Sequence, residues 1–303
     1  MKEEFEHNQH IEYYDNLRKD YYQSNEKVLF NYPAHHLNEV CESHIYYEKT
    51  FIRKTMAPLL ITDNSLSNLL AIGFEQAHIL LDSNTFYIKD IRNIADTPFN
   101  TIVFQLDTPP LKTKESSRTI MKRYFSKKPF DYNVMQFIGK GLGYHQRCPF
   151  VSGYEMFVPE KGSTNDSTSW YGIHHILNAV EDKKGNYMQV NFREHHELQL
   201  PISARSFNEQ VERSATLSFI QQSVVNELAG LYHYTPTPYF TNELNIVQRR
   251  IKEPDFTSVL HPIEKVMSFM SNYRVNEILE KTLGEANPYL DEIRKAFFIS
   301  FKK

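Results

Sequence analysis

The feature that most constrains this chain is a change of period inside residues 170–213, WYGIHHILNAVEDKKGNYMQVNFREHHELQLPISARSFNEQVERS. Residues 170–180 are rich in aromatic and branched side chains and read as a strand. Glu181 to Asn186 is charged and closes on Gly185-Asn186, a turn signal. Tyr187, Met188, Val190 and Phe192 resume as a second strand. In residues 197–202, Leu198, Leu200 and Ile202 share one face, because side chains alternate along a strand. Pro201 cannot donate to a ladder, so the third strand ends there or lies at an edge.

The period then lengthens. Ser206 with Glu209 fits a capping box, in which a hydroxyl and a carboxylate each satisfy a backbone N–H at a helix start. Phe207, Val211, Ala215 and Leu217 follow at helical spacing, which predicts a helix to about residue 228 with Gly230 as its stop. A three-strand meander feeding an amphipathic helix is therefore expected.

The same residues carry a resemblance. Trp170, Gly172 and His174-His175, a strand-turn-strand, and then Leu200-Pro201-Ile202-Ser203, Ser206-Phe207, Gln210-Val211 and Arg213 resemble the C-terminal half of the bacterial competence transcription factor (ComK) family. The resemblance extends over roughly residues 78–230. It implies a sequence-specific DNA-binding regulator that recognises A/T-rich promoter boxes through the minor groove as an oligomer. It further implies an adaptor that delivers the protein to proteolysis. Trp170, Leu200, Pro201, Ile202, Ser203, Ser206, Phe207 and Gln210 would serve this unit as scaffold.

Upstream, residues 1–75 read as a helical, acidic extension with tyrosine pairs at Tyr13-Tyr14, Tyr21-Tyr22 and Tyr46-Tyr47. Such pairs suit either a partner surface or the half-buried face of packed helices. Residues 78–81, 86–91 and 100–106 read as short strands separated by turn residues. Residues 116–126 suit a short helix, 132–138 alternate as a strand, 139–143 read as a glycine-rich connection, and 154–158 as one more strand. Beyond 231 the sequence predicts helices at 241–252 and 262–303. The expectation is an α+β chain: a mixed, mainly antiparallel sheet domain at 76–230 between a helical N-terminal extension (1–75) and a helical C-terminal region (231–303).

Charge singles out one segment. The chain as a whole carries −3, which by itself speaks against a nucleic-acid binder. Residues 112–147, however, hold nine Lys/Arg against two Asp/Glu. Lys112, Lys114, Arg118, Lys122, Arg123, Lys127, Lys128, Lys140 and Arg147 are thus the candidate DNA-binding residues, with Arg118 and Lys127 the strongest. On a helix, Arg118–Lys122 and Arg123–Lys127 form two rows at i, i+4 that can follow a phosphate backbone. Tyr124, Phe125 and Phe130 are interleaved, suited to anchoring the segment or wedging at a groove. Gly139, Gly141 and Gly143 beside Lys140 would let backbone approach phosphates.

Other chemistries have less behind them. His174-His175 and His195-His196 lie on neighbouring strands, but adjacent residues point to opposite faces and no metal-ligand spacing is present, so a packing role is expected and no metal. No nucleophile elbow, phosphate loop or dinucleotide fingerprint occurs, so neither enzyme activity nor a cofactor is expected. Two distant cysteines, Cys41 and Cys148, no apolar run of membrane-spanning length and no signal-peptide pattern at the N-terminus point to a cytoplasmic protein. The expected function is a DNA-binding transcriptional regulator acting as a homo-oligomer. The alternative is an interaction module of the same fold that does not bind DNA, favoured by the overall acidity.

Overall fold

A computed structural model of the chain divides it into two compact units, Met1–Lys54 and Thr55–Lys303. The described residues are 57–94, 97–128, 130–162, 168–185, 187–234, 243–258 and 263–284, with 289 and 292. The expectations for residues 1–56 and for the chain beyond 284 lie outside them, residues 289 and 292 apart.

Among the described residues, eleven strands form two sheets. The larger has seven strands in the order β2 (Phe74–Glu75), β5 (Leu111–Thr113), β4 (Thr101–Gln105), β3 (Thr85–Asp90), β8 (Trp170–Gly172), β7 (Glu155–Pro159) and β6 (Phe150–Ser152). The smaller has the order β1 (Leu60–Ile61), β11 (Glu197–Leu200), β10 (Tyr187–Phe192) and β9 (Ile176–Asp182). Every pairing is antiparallel except β1 with β11 and β2 with β5. Helices α1 (Leu66–Ile72), α2 (Ser117–Phe125), α3 (Tyr132–Gly141), α4 (Ala204–Leu231), α5 (Ile246–Lys252) and α6 (Ile263–Leu283) complete an α+β architecture.

The meander forms as its alternation requires. In β10, Met188, Val190 and Phe192 are buried while Tyr187, Gln189 and Asn191 are half-exposed, the signature of a sheet packed on one face only. Strands β3 and β4 instead bury nearly every residue, so their sequences read as apolar runs. The two sheets meet around Phe86, whose ring lies 4.9 Å from those of Phe192 and His196. His196 also ties the sheets through the backbone. Its Nδ1 accepts the Leu59 N–H at 3.0 Å, which leaves the proton on Nε2 to be donated to the Leu106 carbonyl at 3.0 Å.

Several local readings are corrected. Residues 132–138 are not a strand but the body of α3. Asp131 caps it by accepting the Val134 N–H at 2.9 Å, and Val134, Met135, Ile138 and Gly139 bury one helical stripe. The glycine is needed: a Cβ at Gly139 would come within 2.5 Å of Cys148 Sγ. Residues 78–81 form no strand; Ile79 is buried with its N–H given to Glu115. Residues 170–180 are interrupted by a 3-10 turn at Ile173–His175. The helix after the meander starts earlier than expected, because Ser203 and not Ser206 is its cap, accepting the Ser206 N–H at 3.3 Å. Gly230 does not stop it; α4 continues to Leu231. At 1.5 Å per residue its 28 residues span about 42 Å.

Candidate nucleic-acid interface

Helix α2 carries three of the nine candidate cations, Arg118, Lys122 and Arg123, and its capping and stripe explain its placement. Ser116 accepts the Thr119 N–H at 3.1 Å, and Ile120, Met121, Tyr124 and Phe125 face the core. The two aromatics therefore anchor the segment: Phe125 lies 4.4 Å from Phe150 and 5.0 Å from Tyr132, ring to ring, and Tyr124 5.4 Å from Phe157. Phe130 remains exposed.

The nine candidate cations separate into two groups. Four are half-buried with partners inside the protein. Lys112 Nζ donates to the Leu70 carbonyl at 2.8 Å and lies 5.1 Å from the centre of the Phe99 ring. Arg123 pairs with Glu115 and donates to the Ile79 carbonyl at 2.8 Å. Lys128 pairs with Glu155, which also accepts the Tyr124 hydroxyl, and sits over the Tyr124 ring at 4.7 Å. Arg147, in a left-handed conformation at φ 49°, donates to Ser206 Oγ. Burial works to raise the Glu115 carboxyl, but hydrogen bonds from Arg123, His78 and the Ile79 N–H outweigh it and hold it below its usual value. The Arg123 guanidinium is correspondingly raised by Glu115.

The other five, Lys114, Arg118, Lys122, Lys127 and Lys140, are exposed, Arg118 with a contact of its own within the protein. Of the two expected i, i+4 rows, Arg118–Lys122 stands on the outer side of α2. The Arg123–Lys127 row does not form, because Arg123 turns to Glu115 and Lys127 lies past the helix end. Gly139 and Gly141 are buried within α3, so these two glycines serve packing and offer no backbone to a phosphate.

Arg118 and Lys122 also line a cleft of about 570 Å³ between α2 and the first turns of α3. Phe125, Tyr132 and Trp170 form its aromatic wall, with ring centres 5.0 to 5.5 Å apart. Asn133, Gln136, Ser126 and Thr168 supply polar groups. These α3 residues were missed by reading 132–138 as a strand. As a helix capped by Asp131, the segment places Tyr132, Asn133 and Gln136 on one side.

The expected scaffold residues take structural places. Trp170 is buried in β8, Leu200 is buried at the end of β11, and Pro201 and Ile202 turn the chain towards the Ser203 cap. Phe207 stacks at 6.4 Å on Tyr171. With its amide oriented to satisfy both atoms, Gln210 donates to the Arg147 carbonyl at 3.0 Å. Arg213 donates to the Gln146 carbonyl and covers the Tyr144 ring at 5.1 Å. The start of α4 thus clamps the loop that follows α3.

The histidines are core residues. His174 and His175 are buried with ring centres 4.0 Å apart, brought together by the 3-10 turn instead of pointing to opposite faces. Burial pushes His174 down to about 4 and His175 well below its usual value, the latter helped by His174 itself. Cys148 is buried and its thiol is pushed up to about 12, which keeps it un-ionised and unreactive. Among the described residues no group of His, Cys, Asp and Glu is placed to hold a metal ion, and no helix is long and apolar enough to cross a membrane.

The geometry defines a unit in which an antiparallel meander hands over, through Leu200-Pro201-Ile202-Ser203, to a long helix that braces the neighbouring loop. Residues 151–225 match the family model described as ComK protein, the family of competence transcription factors. The match runs from β6 into α4 and includes the whole scaffold motif; α2 and its cations precede it. No curated protein and no solved structure matches the chain.

Proposed function

We propose that this protein is a DNA-binding transcriptional regulator of the competence class, acting in the cytoplasm on A/T-rich promoter DNA as an oligomer, without catalysis or cofactor. The observation that carries this reading is the match of residues 151–225 to the competence family. The exposed cations support it: Lys114, Arg118, Lys122, Lys127 and Lys140 are the residues for phosphate contact, with the Arg118–Lys122 row central. Arg123, Lys128 and Arg147 act indirectly, by fixing α2, its C-terminal end and the loop after α3, and Lys112 by tying β5 to α1. An adaptor that delivers the protein to proteolysis is a further expected partner.

A second reading, an interaction module that has lost DNA binding, is favoured by one observation: at least four of the nine clustered cations are spent on internal partners. Titration of the full chain onto A/T-rich and G/C-rich duplexes separates the two. Tight A/T-preferring binding that is lost when Arg118, Lys122 and Lys127 are changed to Gln supports the regulator. Weak binding without preference, unaffected by those changes, supports the interaction module.

A further inference from the structure

The α2–α3 cleft carries a combination of groups that phosphate-backbone contact alone does not use. Its rim bears Arg118 and Lys122, exposed and one turn apart on α2. Its wall is built from Phe125, Tyr132 and Trp170, and Gln136 lies beside them as a two-way hydrogen-bonding amide. Two cations one turn apart suit the oxygens of a single phosphate. An aromatic wall with an adjacent amide suits a planar heterocycle read at its edge. A volume of about 570 Å³ falls in the range of small-molecule sites, typically about 300 to 1,000 Å³. Asp131 also faces the cleft, its carboxylate engaged with the Val134 N–H, and its charge opposes ligands carrying several phosphates.

From this we propose that the cleft binds a nucleoside monophosphate, with the phosphate on Arg118 and Lys122 and the base against the aromatic wall beside Gln136. Because those two cations also belong to the proposed DNA interface, ligand and DNA exclude one another. This last step rests on the DNA-binding reading; the ligand site does not.

Trp170 is the sole tryptophan of the chain and lines the cleft, so its emission reports on occupancy. The full chain is titrated with adenosine 5′-monophosphate, with inorganic phosphate and adenosine run separately, and calorimetry repeats each titration. The expected result is saturable binding with a dissociation constant below about 1 mM, at least about tenfold tighter than either fragment. Arg118→Gln with Lys122→Gln should weaken it at least about tenfold, equivalent to removing charge-assisted hydrogen bonds. Gln136→Ala should weaken the nucleotide without changing phosphate binding. Thermal melts of each variant establish that it is folded. Absence of saturation in both readouts overturns the site, as does equal affinity for inorganic phosphate, or a folded double variant that binds unchanged.

Competition with a labelled A/T-rich duplex separates the two proposals. Nucleotide binding without duplex binding leaves the site and removes the DNA reading. Duplex binding without nucleotide binding removes the site alone. Simultaneous binding of both overturns their mutual exclusion.

Discussion

His174 should make the folded state sensitive to mild acid. Its ring is fully buried, with Nδ1 2.8 Å from the Met156 carbonyl and 3.1 Å from the Met156 nitrogen, and it is held neutral by burial to a pKa of about 4. The unfolded chain protonates the same imidazole near pH 6.5. Unfolded molecules therefore bind the extra proton first. Stability is complete above about pH 6.5, falls as pH drops towards 4, and levels off below that. Over two and a half units at about 1.4 kcal/mol each, the full loss is roughly 3.4 kcal/mol, of which about 2 kcal/mol is lost between pH 7 and pH 5. His175 is shifted the same way and adds to the slope. The test is urea denaturation at pH 7 and pH 5, comparing the wild type with His174→Asn, whose amide takes the place of Nδ1 without titrating. His175, which His174 helps to depress, also contributes less to the acid loss in the variant, so the variant should lose at least about 2 kcal/mol less across this interval. Equal losses in the two proteins would refute the buried neutral histidine.

Three further outcomes follow from the packing. Arg123→Gln breaks the contact with the half-buried Glu115 and the Ile79 carbonyl, and should cost about 1 to 3 kcal/mol in denaturant melts, whereas Lys122→Gln next to it should cost less than about 0.5 kcal/mol. Gly139→Ala should destabilise by about 1 to 3 kcal/mol through collision with Cys148 Sγ, and adding Cys148→Ala should recover part of that loss in a double-mutant cycle. His196→Ala strands the Leu59 N–H and the Leu106 carbonyl and removes the ring stacked on Phe86, so a loss of about 2 to 4 kcal/mol is expected, read from the urea midpoint.

The parts of this fold that were legible in sequence are those where one face meets solvent. Strands β10 and β11 alternate because only their inner side chains are buried, and α2 was legible because its basic outer residues contrast with Ile120, Met121, Tyr124 and Phe125. Helix α3 was not, because Val134 and Ile138 lie at even spacing and mimic alternation; Asp131 as its cap was the overlooked signal. The first strand of the 170–213 stretch is shorter than its apolar pattern suggests, because nothing local announces the 3-10 turn that lets His174 and His175 pack together. At the candidate interface, charge located the segment but could not sort its members. The partners that turn cations inward are distant in sequence: Leu70 for Lys112, Glu155 for Lys128 and Ser206 for Arg147. Glu115 is near Arg123, but its capture also depends on Ile79 and His78. Sorting buried from exposed cations thus required the tertiary fold.

The measurement that tests the central claim most directly is the salt dependence of duplex binding. If the five exposed cations each meet a phosphate, log K should fall against log salt with a slope of about −4.5. Changing Arg118 and Lys122 to Gln should make that slope shallower by about 1.8, while Arg123→Gln, folded at the assay temperature, should leave it unchanged. A flat salt dependence in the wild type, or a slope that responds to Arg123 and not to Arg118 and Lys122, would contradict the account.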